Sequence, residues 1–186
     1  MLNKGESMKY LLTYSSYTNN TKKVAQAMKE RLNDAIYKPI EEVTQADIEA
    51  SDAIIVGGWI DKGKMNKSVD EFIHNLHNKK VGFFFTLGAY PTSHHAYDCI
   101  IGLRKQFEDN GNQVISHFHC QGAISDEMMG FMKNLPAGHG HGVNPDRVNR
   151  WADAANHPSE EDFHAAQNFV TIFEKKLIQA MENDNV

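Results

Sequence analysis

Apolar and polar residues alternate along this chain in blocks that predict strands and helices in turn. Continuous apolar runs, typical of strands buried on both faces, occur at residues 10–14, 53–56 and 81–85. Each run is followed by a segment with apolar residues at helical spacing, the first of them at residues 24–32. This alternation predicts an α/β fold in which helices cover both faces of a parallel sheet.

Two further segments have the features of edge strands. Residues 34–40 contain Pro39, which cannot donate a hydrogen bond to a central ladder. Residues 113–120 alternate between two sets of side chains, as a half-exposed strand does. The sequence therefore predicts five strands, with the second and the last at the edges of the sheet.

The last helix has the clearest signals in the chain. Ser159 and Asp162 have the spacing of a capping box. The apolar stripe that follows consists of Phe163, Ala166, Val170, Phe173, Leu177 and Met181. In the helix after the fourth strand, the residues predicted to face inward are Ile100, Ile101, Leu103 and Phe107. Residues 121–157 have no clear period, and we interpret them as an insertion able to fold over the carboxyl ends of the strands, with a short helix at residues 146–151.

Length and composition are those of one folded domain. The chain has 186 residues, of which 41% are hydrophobic and 23% charged, and this balance argues against disorder. We predict a single domain over residues 8–182, with residues 1–7 as a disordered lead-in.

Charge and hydropathy exclude some classes of protein. A formal net charge of −5 gives no electrostatic basis for binding nucleic acid. No apolar stretch approaches the roughly 20 residues that span a bilayer, and the polar amino terminus does not resemble a secretory signal. The sequence thus predicts a cytoplasmic protein without a membrane anchor, in which Cys99 and Cys120 are reduced.

Residues 15–21, between the first strand and the first helix, are rich in hydroxyl groups. The hydroxyl side chains are Ser15, Ser16, Thr18 and Thr21. Together with the free N–H groups of the helix start, they would meet at a point where the helix dipole favours an anion. The loop can therefore hold a phosphate without an arginine. The alternative is that Thr18 or Asn19 only caps the helix.

Two more loops are predicted at the same edge of the sheet. Residues 57–63 and 86–90 follow the third and fourth strands, and ligands of parallel sheets bind at the carboxyl ends of the strands. Each loop combines glycine, which permits close approach, with a large ring, Trp59 or Tyr90. The three loops together predict a site for a ligand that has a phosphate tail and a flat ring.

The first loop resembles the phosphate loop of the flavodoxin family. Its sequence, Ser16-Tyr17-Thr18-Asn19-Asn20-Thr21, matches the family pattern Ser/Thr-x-Thr-Gly-x-Thr at every position but the glycine. Asparagine is the most tolerable substitute if that position needs positive φ. The resemblance extends over residues 8–120 and 159–181. Residues 58–63 and 86–91 are similar, more narrowly, to a flavodoxin-like subgroup associated with bilirubin-reductase systems.

The resemblance implies a three-layer sandwich with strand order 2-1-3-4-5 and a flavin mononucleotide (FMN) cofactor. It implies that Trp59 stacks on, or shields, one face of the flavin ring and that residues 87–90 border the opposite side. The implied cofactor-binding residues are Ser16, Tyr17, Thr18, Asn19, Asn20 and Thr21 in the first loop, Gly58, Trp59, Ile60, Asp61, Lys62 and Gly63 in the second, and Thr86, Leu87, Gly88, Ala89 and Tyr90 in the third.

These expectations favour an FMN-binding electron-transfer protein that passes electrons to a partner oxidoreductase. A stand-alone FMN-dependent NAD(P)H:acceptor reductase of the quinone type is an alternative. A third hypothesis, motivated by Asn19 in place of glycine, is a cofactor-free binding module. The sequence indicates no catalytic residue and leaves the oligomeric state open. The ten histidines, His139 and His141 among them, lack the cysteine or carboxylate partners of a metal site.

Overall fold

A computed structural model describes residues 8–136, 139 and 142–184, so the predicted lead-in at residues 1–7 lies outside the described residues. The strands are β1 (Tyr10–Tyr14), β2 (Ala35–Pro39), β3 (Ala53–Asp61), β4 (Lys64–Met65), β5 (Lys80–Leu87) and β6 (Gln113–Gln121). The helices are α1 (Asn20–Arg31), α2 (Gln45–Glu49), α3 (Lys67–Asn75), α4 (His94–Asp109), α5 (Asp126–Lys133), α6 (Pro145–Ala154) and α7 (Glu160–Asn183), with a 3₁₀ turn at Ile40–Glu42.

The strands form one parallel sheet with a small antiparallel addition. The order is β2-β1-β3-β5-β6, and β4 pairs only with the end of β3 in the described part of the chain. The predicted α/β sandwich is confirmed. The predicted order, 2-1-3-4-5, differs in numbering because the sequence did not reveal β4. The strand counted as fourth is β5, and the strand counted as fifth is β6.

Helices cover both faces of the sheet, as expected. Successive side chains of a strand point to opposite faces, so the central strands supply two hydrophobic cores. Ile54 and Phe83 pack on the face covered by α3 and α4. Ile55 and Phe84 pack on the other face, against α1 and α7. All four side chains are fully buried.

The outer strands and the last helix agree with their local sequence signals. β2 and β6 lie at the two edges of the sheet, and both contain half-exposed residues. The capping box of α7 is present: Ser159 and Asp162 each accept a backbone hydrogen bond from the other. One helical prediction is wrong, because Ile101 is 49% exposed. In α4 the buried stripe runs through Cys99, Leu103 and Phe107, and a residue two positions after Cys99 faces outward.

The segment after the third strand was predicted to be a loop, and this prediction is wrong. β3 continues to Asp61 and turns back through Lys62 and Gly63, whose φ angles are 50° and 83°. Positive φ at both central residues is typical of a tight hairpin turn. The apolar run in the sequence ends at residue 56, before the end of β3, because the next residue is Gly57, which has no side chain. A Cβ atom there would lie 1.9 Å from the ring of Phe84, so the glycine is needed for packing inside the sheet.

Candidate functional site

The structure brings the three predicted loops together at the carboxyl end of the sheet. The Thr21 hydroxyl donates to the carbonyl of Gly58 at 3.3 Å and lies 3.0 Å from the hydroxyl of Thr86. Because Thr21 donates to Gly58, the hydroxyl of Thr86 donates to Thr21. These three residues come from the three segments that the sequence singled out, and one small network joins them.

The predicted phosphate loop has an outer and an inner part. Tyr17, Thr18 and Asn19 are exposed, whereas Asn20 and Thr21 are buried. Asn20 donates its side-chain amide to the carbonyl of Ala123 at 2.9 Å. The side chains of the inner part therefore form hydrogen bonds within the protein, and the outer part faces solvent.

The start of α1 has a left-handed backbone at the position where the family pattern has glycine. Asn19 occupies the N-cap position with φ 66° and ψ −3°, which is left-handed, and its side chain makes no capping hydrogen bond. The hydroxyl of Ser16 instead accepts a hydrogen bond from the backbone N–H of Lys22 at 3.2 Å. The first turn of α1 contains no acidic residue. An anion at this helix start would meet backbone N–H groups and no opposing carboxylate from that turn.

Trp59 is half-buried near the end of β3, and a residue that the sequence analysis missed holds its backbone. Asn66 accepts a hydrogen bond from the Trp59 N–H at 3.3 Å and donates its own N–H to the Trp59 carbonyl at 3.0 Å. The rings of Tyr17 and Trp59 are tilted by 36°, with centroids 6.3 Å apart. The remaining predicted residues of this loop continue the hairpin: Ile60, Asp61, Lys62 and Gly63.

The third predicted segment is divided between a strand and a loop. Thr86 and Leu87 are buried at the end of β5, and Gly88 and Ala89 follow half-buried. Tyr90 is 40% exposed, and its hydroxyl donates to the Asp153 carboxylate of α6 at 2.6 Å. This hydrogen bond, together with desolvation, raises the pKa of the Tyr90 phenol.

Residues 122–157 are called the 122–157 segment, and its described residues form hydrogen bonds with the first and third predicted loops. The Gly122 N–H donates to the carbonyl of Leu87 at 2.9 Å. The Tyr17 hydroxyl donates to the Glu127 carboxylate of α5 at 2.8 Å, and this bond raises the pKa of the Tyr17 phenol. The expected helix at residues 146–151 lies within α6, whereas α5 was not predicted. The segment thus reaches both of the exposed tyrosines at this edge.

The cysteines and histidines weighed from the sequence have the following surroundings. Burial raises the pKa of the Cys99 and Cys120 thiols, which keeps both protonated. Among the residues that the structure describes, no three His, Cys, Asp or Glu side chains are placed to hold a metal ion. His141, one of the histidines weighed for metal binding, lies outside the described residues. No helix in these ranges is long and apolar enough to cross a membrane.

The parallel sheet, its two helical layers and the three segments at one edge define an α/β protein of the flavodoxin-like class. The family model described as "Flavodoxin domain" matches residues 11–171, and the chain belongs to the flavodoxin family.

Known relatives agree with this assignment. The flavodoxin-like domain-containing protein BilS of Clostridioides difficile (strain CD3) is 29% identical over 173 residues, covering 87% of this chain and 94% of that protein. An uncharacterised protein of Methanocaldococcus jannaschii is 30% identical over 165 residues, covering 87% and 95%. Oxidised flavodoxin 2 from Bacillus cereus has a similar structure, with a TM-score of 0.60, 17% identity and coverage of 90% of this chain and 99% of that one. At this identity the structural similarity concerns the fold alone.

Proposed function

We propose that this protein binds FMN at the carboxyl end of the sheet and transfers electrons to a partner oxidoreductase. The observation that carries the proposal is the left-handed backbone of Asn19, because it supplies positive φ at the position where the family pattern has glycine. Trp59 lies near the end of β3 and Tyr90 follows the end of β5, where a flat ring bound beside that loop would extend.

The residues of the site fit the two parts of FMN. The phosphate would be held by the exposed part of the first loop, with Ser16 and Thr18 as hydroxyl donors and the N–H groups of the α1 start. Thr21 joins this loop to β3 and β5 through hydrogen bonds with Gly58 and Thr86. Asn20 supports it through Ala123.

Bound FMN supplies the capacity to take up and release electrons. The protein's part is to orient the ring and to keep water from it. Trp59 has a fixed backbone, held by Asn66, and would present its ring to one face of the flavin. Tyr90 would border the opposite side, with its hydroxyl held by Asp153.

Binding of FMN can be tested at Asn19, where backbone conformation is the variable. Asn19→Val introduces a β-branched residue that costs about 1–2 kcal/mol in the left-handed region, so the free loop should relax out of this conformation. Binding has to restore it, and we therefore expect FMN to bind roughly tenfold more weakly. Asn19→Gly is the matched control and should bind FMN at least as well as the parent. Calorimetric titration of the purified protein with FMN gives the dissociation constants. Equal affinity of the two variants would contradict the proposed phosphate loop.

A second experiment separates a carrier from an enzyme. FMN-loaded protein is mixed with NADH and then NADPH under nitrogen, and the flavin absorption is followed. A carrier needs a reductase, so its bands should persist; prompt bleaching would identify an FMN-dependent NAD(P)H:acceptor reductase. That second candidate is favoured by the contacts of Glu127 and Asp153 with the site, since the 122–157 segment could shape a substrate pocket. No retained flavin would leave the cofactor-free binding module.

The partner oxidoreductase, the association with bilirubin-reductase systems, the cytoplasmic location and the single domain over residues 8–182 with its insertion stay predictions.

A further inference from the structure

The two tyrosines at the edges of the candidate site are both tied to the 122–157 segment. Tyr17 donates its phenol to Glu127 of α5, and Tyr90 donates its phenol to Asp153 of α6. In each case a carboxylate of the segment accepts the bond, at 2.8 Å and 2.6 Å respectively. The segment is therefore connected to opposite sides of the site, once through each of its two helices.

The two ends of the 122–157 segment lie next to each other. The Ala123 N–H donates to the carbonyl of His157 at 2.8 Å, which closes the two ends of the segment on each other. Beside this closure, the amide of Asn20 donates to the carbonyl of Ala123. The root of the segment is thus joined to the inner part of the phosphate loop, and α5 and α6 extend from it.

The two helices differ in how firmly they are held. α6 buries Trp151 and Ala154. α5 buries none of its residues, and its most exposed apolar side chain, Phe131, is 62% accessible. Within the described ranges, the bond from Tyr17 to Glu127 is the one side-chain hydrogen bond that joins α5 to the strand ends. If α5 moved away, little buried apolar surface would become exposed to water. If α6 moved away, Trp151 would become exposed.

We propose that α5 is a hinged cover on the Trp59 side of the FMN site, latched by the hydrogen bond from Tyr17 to Glu127. The Tyr17 ring lies beside Trp59, so the latch sits next to the proposed ring position. Tyr17 and Glu127 act here as positioning residues that set how often the site is open to solvent and to an electron acceptor. This inference rests on the proposed function for its ligand, although the latch itself belongs to the protein.

The test uses variants that remove the latch and keep most of the bulk of both side chains. Tyr17→Phe removes the donor and retains the ring, and Glu127→Leu removes the acceptor and retains most of the bulk of the side chain. In each variant we expect FMN to dissociate about three- to tenfold faster, as the loss of one modest hydrogen bond predicts. The double variant should match the single ones, because one bond can be lost only once. Stopped-flow fluorescence of released FMN measures the rates. Tyr97→Phe, at an exposed tyrosine of α4, is the control and should behave as the parent.

A second measurement follows the cover without FMN. Lys133 ends α5, and trypsin should cleave after it faster in both latch variants of the apo protein, again by about three- to tenfold. Parent-like rates of release and cleavage, or additive effects in the double variant, would overturn the latch. If FMN does not bind at all, the proposed function fails, and cleavage after Lys133 still decides whether the latch exists.

Discussion

The two helices of the 122–157 segment are attached to the same edge of the sheet by the same kind of bond, yet they are held very differently. Tyr17 reaches a carboxylate of α5 and Tyr90 reaches a carboxylate of α6. Only α6 also buries side chains, Trp151 and Ala154. Burying a large apolar side chain stabilises by about 1.5–3 kcal/mol, whereas a single hydrogen bond contributes about 0.5–1.5 kcal/mol. Apolar burial therefore decides which helix is fixed and which can move.

The largest effect should come from removing the anchor of α6. Trp151→Ala is expected to lower the free energy of unfolding by about 3–5 kcal/mol, because the Trp151 side chain is only 6% exposed and its removal leaves a cavity. The matched change in α5, Phe131→Ala, should alter it by less than about 0.5 kcal/mol, since Phe131 is mostly in solvent. Urea denaturation of both variants gives the two values. Similar losses would show that α5 is packed as firmly as α6.

A smaller effect is expected at the shared root. Asn20→Ala removes the donor to the Ala123 carbonyl and should lower the free energy of unfolding by about 1 kcal/mol. Both helices depend on this root, so trypsin cleavage should accelerate after Lys133 in α5 and after Arg150 in α6 alike. Asn149→Ala, at an exposed position of α6, is the control. Faster cleavage in one helix alone would mean that α5 and α6 do not share the root.

The smallest effect concerns the titration of the two latching phenols. Each pKa is raised above the ordinary value of 10.0, first by the hydrogen bond to its carboxylate and further by the negative charge. Both hydrogen bonds are therefore fully present below about pH 10, the ordinary pKa of a phenol, and each is lost as the pH rises through the raised pKa of its tyrosine. Glu127→Gln should lower the pKa of Tyr17, and Asp153→Asn that of Tyr90.

Difference titrations of phenolate absorbance, variant against parent, report each change. For Tyr90 part of the shift is offset by Arg150, whose positive charge lowers this pKa. An unchanged Tyr17 titration in Glu127→Gln would mean that the latch is open in solution.

Local sequence signals were sufficient for several features of the fold and of the site. The capping box at Ser159 involves residues three positions apart, and it was read correctly. The resemblance indicated asparagine as the most tolerable substitute for glycine if the position needs positive φ, and Asn19 has a φ of 66°. The extension of β3 was missed because Gly57 interrupts the apolar run, although a strand needs only a backbone that can pair.

Contacts between distant residues could not be read in this way. Asn66 reads as an ordinary polar residue before a helix, yet it holds the backbone of Trp59. Thr21 reads as one more hydroxyl of the phosphate loop, yet it is buried and bonded to Gly58 and Thr86. In both cases the partner belongs to another element, and only the path of the chain brings the two together.

The sequence by itself determined most of the succession of strands and helices and the position of the three segments at the candidate site, because propensity, capping and hydrophobic period act within a few residues. Only the tertiary structure decided the partners of Tyr17, Thr21 and Tyr90. Glu127 lies 110 positions from Tyr17, Gly58 and Thr86 lie 37 and 65 positions from Thr21, and Asp153 lies 63 positions from Tyr90. At such separations contact depends on how the sheet orders its strands and where the 122–157 segment returns, and no local pattern carries that information.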